Sequence, residues 1–366
     1  MSPILSGIDV GVIEELYGIR CVGRLAIAKE LASKLNITVR TALRKLQIVN
    51  NLSKVKFRLT IEYSLSTLGL KRMLILSNSD EILRSSTPIE EKRPLFIRSY
   101  FYLVPRGAGI VLHVPAYSKA SHYMCKDCTV FEFHEIMRNA TSLSTYGVGS
   151  VSDFHIPISE KSFKLLRNSL FSHIEESCES TSLLPSLKVR YDWMDVAIIK
   201  EAEKDPLAKL SNIAQQVGIP VSKVRRHAYA HIPFIIRGIR IRYLPIYKYY
   251  DSIILVFLKA KSTSCNIGLG EALMKHPLFP MYGVNMKENA AIAQALVPFH
   301  MSRKVIGVFE ELEKELGVIK VVDVKLATHG RTYTLPYVKW QEYIPKRTWG
   351  IPRLGRREGN DGFDAM

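Results

Sequence analysis

The chain has 366 residues, of which 47% are hydrophobic and 23% are charged, and its formal net charge is +17. This length predicts two or more domains, and this composition is typical of an ordered globular protein. Apolar runs such as residues 252–258 are far shorter than the roughly 20 residues that span a bilayer, and the N-terminus lacks a signal-peptide pattern. We therefore expect a cytoplasmic protein without membrane contact, whose basic surface attracts polyanions.

The first 66 residues predict an N-terminal helix-turn-helix domain with a basic wing. Apolar residues between positions 24 and 50 recur at helical spacing, and Asn36 stands where a left-handed turn residue is needed. The outward face of the second helix then carries Arg40, Thr41, Arg44 and Lys45. The wing would be a strand in which Lys54, Lys56 and Arg58 alternate with apolar residues.

Residues 67–170 predict a first ferredoxin-like domain with the element order βαββαβ. The predicted strands are 72–76, 95–103, 110–114 and 129–136, and the predicted helices are 79–86 and 118–126. Residues 171–187 are rich in Ser and Glu, with Pro185 near the end, and are predicted to be a linker.

One cluster in this first half has metal-like spacing, and it consists of His122, Cys125, Cys128 and His134. Four N and S ligands within thirteen residues could close a tetrahedral zinc site. Two other interpretations stay open. Cys125 and Cys128 could form a reversible disulfide, or they could simply stand at the end of the second predicted helix without binding a metal. The five cysteines of the chain are too few and too scattered to indicate a disulfide framework.

Residues 188–246 predict a second winged helix-turn-helix. Three apolar blocks at helical spacing are separated by Asp205-Pro206 and by Gly218, which predicts three helices. The outward face of the third helix carries Ser222, Lys223, Arg225 and Arg226, and the wing carries Arg237, Arg240 and Arg242. Because this face is basic and rich in hydrogen-bond donors, it suits the major groove of DNA.

The two halves of the chain are related by an internal repeat. The segment 24–50 aligns with the second helix-turn-helix at a constant shift of 182 residues, and Arg93-Pro-Leu-Phe96 matches His276-Pro-Leu-Phe279. Residues 247–345 predict a second ferredoxin-like domain, and 346–366 predict a basic, partly disordered tail. The expected fold class is α+β, with two winged helix-turn-helix domains and two ferredoxin-like domains.

The second winged helix-turn-helix resembles the DNA-binding half of the Lrp/AsnC family of archaeal and bacterial regulators. The resemblance lies in Asp192 and Asp195, Asp205-Pro206, the segment 213–219, and Val224 with Arg225-Arg226. It implies a sequence-specific regulator that binds double-stranded DNA, a ferredoxin-like effector domain for a small molecule, and a monomeric pseudo-dimer or a homodimer. Since the two predicted reading helices differ, we expect an imperfect palindrome as the DNA site.

Two alternatives remain beside the regulator. The first alternative is a tetrapyrrole enzyme, because siroheme decarboxylases resemble the same family in fold and pair two such halves. The second alternative is a non-specific architectural DNA-binding protein. Two segments, 9–72 and 188–250, each carry twelve Lys and Arg against five Asp and Glu, so most of the charge follows the helix-turn-helix units. This distribution favours DNA as the ligand.

The sequence has no phosphate loop, HExxH or GxSxG motif. We therefore expect no enzyme activity and no cofactor, apart from the zinc alternative given above.

Overall fold

A computed structural model describes residues 10–53, 58–79, 97–119, 127–138, 160–178, 191–242, 252–276, 278–328 and 330. The helices in these ranges are α1 Val10–Leu16, α2 Arg24–Lys34, α3 Val39–Ser53, α4 Glu160–Cys178, α5 Trp193–Lys204, α6 Leu210–Val217, α7 Val221–Ala230, α8 Ile232–Ile235, α9 Thr263–Met274 and α10 Ser302–Leu316. The strands are β1 Arg58–Tyr63, β2 Leu70–Ser77, β3 Ile97–Val104, β4 Ala108–Pro115, β5 Cys128–Phe133, β6 Glu135–Arg138, β7 Ile236–Arg242, β8 Ser252–Ala260, β9 Met281–Asn285, β10 Ala290–Val297 and β11 Ile319–Thr328.

Two three-helix clusters form from the segments in which helices are predicted, α1–α3 and α5–α7. Asp192 caps α5 by accepting from the backbone of Met194 and Asp195, and the Asp195 carboxylate accepts in return from the Asp192 N–H. Gly218 ends α6 in the left-handed conformation with φ 75°, and Asn36 has φ 51° at the matching turn. The predicted turn residues are therefore confirmed in both clusters.

The strands form a nine-stranded antiparallel sheet in the order β5-β2-β4-β3-β11-β8-β10-β9-β6. The strands β5-β2-β4-β3 and the strands β11-β8-β10-β9 each have the order 4-1-3-2 when they are numbered along the chain, and β6 adds a ninth strand at the end of the second set. The halves join where β3 pairs with β11. The two outer strands, β5 and β6, follow each other in the chain with only His134 between them, so one stretch of chain pairs with both halves of the sheet.

A separate two-stranded ribbon links the two clusters. β1 pairs with β7 in antiparallel register, with Thr60 opposite Arg240 and Ile61 opposite Ile239. α5 packs against β1 and α1 packs against β7, so each cluster contacts the strand that follows the other cluster. The ribbon lies against the sheet, and the space between them is the cleft described below.

Part of the predicted linker is helical in the structure, because it belongs to α4. Residues 171–178 are the C-terminal part of this helix, because Phe163, Leu166, Leu170 and Ile174 recur at helical spacing and are buried against α9 and α10. A disulfide between Cys178 and Cys265 joins α4 to α9, so the expectation that cysteines do not shape the fold is also wrong.

The α+β class is confirmed, and every sheet pairing is antiparallel. Most of the two helices predicted at 79–86 and 118–126 and the predicted tail lie outside the described residues. Within the described ranges, no helix combines the length and the apolar composition that a membrane crossing requires.

Gly238 on β7 provides a test of how the ribbon is packed. A Cβ at this position would overlap the carbonyl oxygen of Tyr17 at the end of α1. We expect Gly238→Ala to lower the free energy of unfolding by about 1–3 kcal/mol, measured by urea denaturation. Gly307→Ala is the matched control, since it adds a methyl group with open space around it inside α10 and should stabilise by about 0.5–1 kcal/mol. Equal effects of the two changes would contradict this packing.

Candidate functional site

A cleft lies between the β1–β7 ribbon and the sheet, at the C-terminal end of α5. About 560 Å³ of space lies in it when the part open to solvent is included. Its basic side chains outnumber its acidic ones, with Lys71, Arg72, Arg98, Arg237 and Arg240 against Glu62 and Glu203. Its apolar side chains are Ile61, Leu65, Leu70, Phe133 and Ile136.

Arg72, on β2, is the buried cation at the floor of this cleft. Its side chain donates from Nε to Nε2 of His113 at 3.0 Å, and its Nη1 lies 3.3 Å from Sδ of Met281. Among the described residues, no carboxylate forms an ion pair with it. Burial lowers the pKa of Arg72 to about 10, although the Glu62 carboxylate acts to raise it. The guanidinium is thus charged at neutral pH, and its desolvation is poorly compensated.

Two other arginines in the cleft do have carboxylate partners. Arg98 forms a bidentate ion pair with Glu203, whose side chain is 5% exposed. Burial acts to lower the pKa of Arg98, but the Glu203 carboxylate outweighs it and raises the pKa above its usual value. Nε of Arg240 lies 3.5 Å from Oε2 of Glu62. The position of Glu203 is supported by Thr60 on the ribbon, which donates to the Glu203 carbonyl at 3.0 Å.

Among the described residues of the cleft, the buried Tyr63 hydroxyl and Nδ1 of His134 have neither a hydrogen-bond nor an ion-pair partner. Burial and, second, the Glu203 carboxylate raise the pKa of Tyr63, so its hydroxyl stays protonated at neutral pH. Burial and the Lys287 ammonium lower the pKa of His134, which keeps its imidazole neutral. Buried polar atoms normally have partners, so these two atoms are available to a bound ligand.

The predicted reading helices keep their basic faces outward. On α3, Arg40 and Arg44 are exposed and Thr41 and Lys45 are half-buried. On α7, Ser222, Lys223, Arg225 and Arg226 are all exposed. These eight residues lie outside the cleft, on the surfaces of the two clusters.

The predicted wings are placed differently from the expectation. β1 and β7 pair with each other, and the side chain of Arg240 is 10% exposed and turned to Glu62 in the cleft, which corrects its prediction as a phosphate contact. Arg237 is exposed and lines the cleft, where its Nη1 donates to the Ile136 carbonyl at 3.2 Å. Lys54 and Lys56 lie outside the described residues, and so do the side chains of Arg58 and Arg242.

The predicted cysteine and histidine cluster is only partly described. His122 and Cys125 lie outside the described residues. Cys128 takes part in a disulfide, which favours the disulfide alternative over zinc for this cysteine. His134 lies between β5 and β6, where its backbone N–H donates to the Val284 carbonyl at 2.8 Å and its ring lines the cleft.

Comparison with known proteins gives a fold likeness. No family model matches the sequence, and no curated protein matches it either. The solved structure of siroheme decarboxylase NirDL in co-complex with an iron-uroporphyrin III analogue is similar over 92% of this chain and 95% of that chain, with a TM-score of 0.52 and 10% sequence identity. A second structure of siroheme decarboxylase NirDL gives a TM-score of 0.47 and 11% identity over 92% of this chain and 97% of that chain.

This likeness changes three expectations. It supports the coarse part of the predicted resemblance, an Lrp/AsnC-like α+β fold, but nothing in the comparisons supports a transcription regulator. The expectations of no enzyme activity and of no cofactor are overturned, because the similar structure is that of an enzyme in complex with an iron-porphyrin. Part of the positive charge that was assigned to the second wing lies in the cleft, since Arg237 and Arg240 line it together with Arg72 and Arg98.

Sequence reasoning missed the cleft for a physical reason. Arg72 and Arg98 interrupt predicted strands as isolated charges, and each such position is more often solvent-exposed than buried. One signal was present, since Arg72 is flanked by the apolar run 73–76 on a strand that is buried on both faces. A charged residue at such a position needs a partner or a ligand.

The Glu203–Arg98 pair makes a testable contribution to stability. We expect Glu203→Gln to lower the free energy of unfolding by about 3–5 kcal/mol, because it leaves the Arg98 guanidinium buried without a countercharge. Glu311→Gln is the matched control, since Glu311 is an exposed partner of Arg167 and its loss should change stability little. Thermal and urea unfolding of both variants measure the difference, and a neutral Glu203→Gln would show that the pair is not buried.

Proposed function

We propose that the chain binds an anionic, siroheme-type tetrapyrrole in the cleft and removes carboxyl groups from it as CO₂. The observation that carries this proposal is Arg72, a buried guanidinium with no carboxylate partner among the described residues. A carboxylate of a bound ligand would supply the missing countercharge. The fold likeness to a siroheme decarboxylase supports the same choice of ligand.

The residues of the cleft fit such a molecule. A uroporphyrin-type ring is flat and apolar, and carboxylate side chains surround it. The apolar side chains, among them Leu65, Leu70 and Phe133, can pack against the ring. Arg72 and Arg237 can pair with the carboxylates, and the unpartnered hydroxyl of Tyr63 can donate to one of them. Excess positive charge in the cleft also draws the anion in from solution.

In the proposed reaction, the bond between the side-chain carbon and its carboxyl carbon breaks, CO₂ leaves, and a proton replaces it on the side-chain carbon. The conjugated ring, when bound, stabilises the charge that develops beside it. We infer that Tyr63 supplies the proton, because its raised pKa keeps the hydroxyl protonated and its oxygen has no other partner. Solvent then returns a proton to Tyr63. The neighbouring arginines hold the remaining carboxylates and fix the ring orientation.

We also infer that the two halves are copies of one unit, a winged helix-turn-helix followed by a ferredoxin-like domain, fused into a pseudo-dimer. Matching strand orders in both halves of the sheet and the turn residues Asn36 and Gly218 support this inference. Both halves line the cleft, but its buried cation comes from the first half, since Arg72 and His113 are on β2 and β4. Fusion lets the copies differ, so that one half supplies Arg72 and the other supplies Glu203 and Arg240.

The proposal predicts porphyrin binding that depends on Arg72. Titration of the full chain with iron-uroporphyrin III should shift the Soret band, and Arg72→Met should weaken the affinity about ten- to a hundredfold by removing charge-assisted hydrogen bonds. Methionine has a similar length and no charge, so we expect the ligand-free variant to melt no lower than the parent protein.

Arg303→Met is the control, because Arg303 is exposed on α10 and far from the cleft lining. Its affinity should equal that of the parent protein. Loss of CO₂ from siroheme, followed by mass spectrometry of the tetrapyrrole, tests the reaction itself, and Tyr63→Phe should slow turnover without the same loss of affinity. Equal porphyrin affinity in all variants would contradict the cleft as the site.

Double-stranded DNA is a second candidate ligand, and we propose it on one observation only. Lys223, Arg225 and Arg226 project from α7 on its exposed face, at the start of a helix that follows a tight turn. Arginine can bind guanine in a bidentate manner from such a helix. The small-molecule effector expected with this function would occupy the cleft.

Replacing Arg225 and Arg226 together with Ala should weaken specific DNA binding by about 1–3 kcal/mol per lost base contact, measured by fluorescence anisotropy on DNA selected from a random pool. Arg72→Met is the control, since Arg72 is buried and should leave DNA affinity unchanged. If no sequence is enriched, or if the variant lacking Arg225 and Arg226 binds the selected DNA as the parent does, the chain does not read DNA through α7.

A further inference from the structure

One cluster of titratable side chains lies outside the cleft, within the second three-helix cluster. Asp195 near the start of α5 faces His227 on α7 and His231 at its C-terminal cap. We call these three residues the Asp–His cluster. Asp195 and Glu203 are eight residues apart on α5, which separates this cluster from the cleft by about 12 Å along the helix.

The three side chains converge on one point. Nδ1 of His227 is 2.8 Å from Oδ1 of Asp195, and Nδ1 of His231 is 3.0 Å from Oδ2 and 3.2 Å from Oδ1. The ligand atoms all lie within 4.8 Å of one another. In a tetrahedral zinc site with bonds of about 2.0–2.2 Å, neighbouring ligand atoms are roughly 3.3 Å apart. The two N···O contacts to Asp195 would therefore open by a few tenths of an ångström to admit the ion.

The chemistry of the ligand atoms also fits a divalent transition metal. Two imidazole nitrogens and one carboxylate oxygen are a donor set that zinc prefers over the all-oxygen sets of calcium and magnesium. His227 and His231 are four residues apart at the end of one helix, so both rings reach the same side of it. Oδ1 of Asp192, 3.8 Å from Nδ1 of His227, or a water molecule can provide the fourth ligand.

Burial distinguishes this cluster from a surface group of acids and histidines. The Asp195 side chain has no exposed surface, the His227 side chain is 2% exposed, and His231 is 36% exposed and offers a path from solvent. Among the described residues, Nε2 of His227 is buried without a hydrogen-bond partner, so no existing bond is broken when the ring proton moves to Nε2 and Nδ1 binds a metal.

We propose that the Asp–His cluster is a structural zinc site that ties the start of α5 to the end of α7. The ion takes the place of the hydrogen-bonded protons between Asp195 and the histidines, and each imidazole that binds through Nδ1 stays neutral by carrying its single proton on Nε2. It fixes the orientation of α7 relative to α5, and with it the exposed basic face of α7. The site is independent of the tetrapyrrole cleft and of the cysteine and histidine cluster at positions 122–134.

The test uses the full chain, freed of metal by a chelator and then titrated with Zn²⁺ or Co²⁺. We expect one Zn²⁺ per chain at this site by calorimetry, visible absorption bands of a tetrahedral Co²⁺ complex, and a melting temperature raised by roughly 3 °C at saturating Zn²⁺. His231→Ala should weaken Zn²⁺ binding at least tenfold and remove the Co²⁺ bands. Because His231 is partly exposed and at a helix end, circular dichroism should show an unchanged fold.

Two control variants assign the site. His300→Ala removes an exposed histidine elsewhere and should bind Zn²⁺ as the parent does. Cys128→Ser should also leave the affinity unchanged, since this cysteine belongs to the other cluster. Zn²⁺ binding that is equal in the parent and His231→Ala, that is lost in Cys128→Ser instead, or that is absent in the parent would overturn the proposal. His231→Asn, which keeps a hydrogen bond to Asp195, must lose Zn²⁺ binding as His231→Ala does.

Discussion

The pairing of β1 with β7 is the constraint on which the rest of the arrangement depends. Two strands that are far apart in sequence share one ribbon. Each strand packs against a helix of the cluster that belongs to the other half of the chain. The ribbon is the cover of the cleft, and Thr60 on it holds the end of α5 through the Glu203 carbonyl. Without this pairing, Arg240 would be a solvent-exposed wing residue, and Glu203, the partner of Arg98, would lose its hydrogen bond from Thr60. A long-range hydrogen-bond ladder therefore decides where these charged side chains lie.

Charge in the cleft is only partly compensated, and this imbalance connects stability with function. The Glu203 carboxylate stabilises Arg98, and Glu62 lies beside Arg240, whereas the hydrogen bonds of Arg72 within the described residues go to His113 and to the thioether of Met281. A ligand with several carboxylates would stabilise the folded chain by binding to it, since the unfolded chain has no such site. The buried cation, which is unfavourable without a countercharge, would then provide affinity for the anionic ligand that we propose. Preorganised arginines of this kind also hold a substrate in one orientation.

The basic side chains lie on two separate surfaces of the molecule. The cleft lies inside, between ribbon and sheet, while the basic faces of α3 and α7 point outward on the helix clusters. A fold likeness to an enzyme at 10% identity does not assign either surface, but Arg72, a buried guanidinium without a carboxylate ion pair among the described residues, lies in the cleft. The Asp–His cluster lies between the two, at the base of α7. If it holds zinc, the metal would set the geometry of the outward face without touching the cleft.

Much of the fold was determined by the sequence alone, because local rules acted without competition there. Helices α5–α7 and α10 follow from apolar spacing bounded by Pro206, Gly218 and Gly317, and both strand sets follow from apolar runs between turn residues. Helix α4 was missed because a Ser- and Glu-rich composition concealed the spacing of Phe163, Leu166 and Leu170.

Only the tertiary structure decided which charged residues are buried and which partners they meet. Arg98 meets Glu203 across 105 positions, Arg72 meets His113 across 41, and Asp195 meets His227 across 32. Periodicity reports which face of a helix or strand a side chain occupies, but not what lies opposite that face. The cleft and the Asp–His cluster therefore became visible only when strands and helices from distant parts of the chain were packed together.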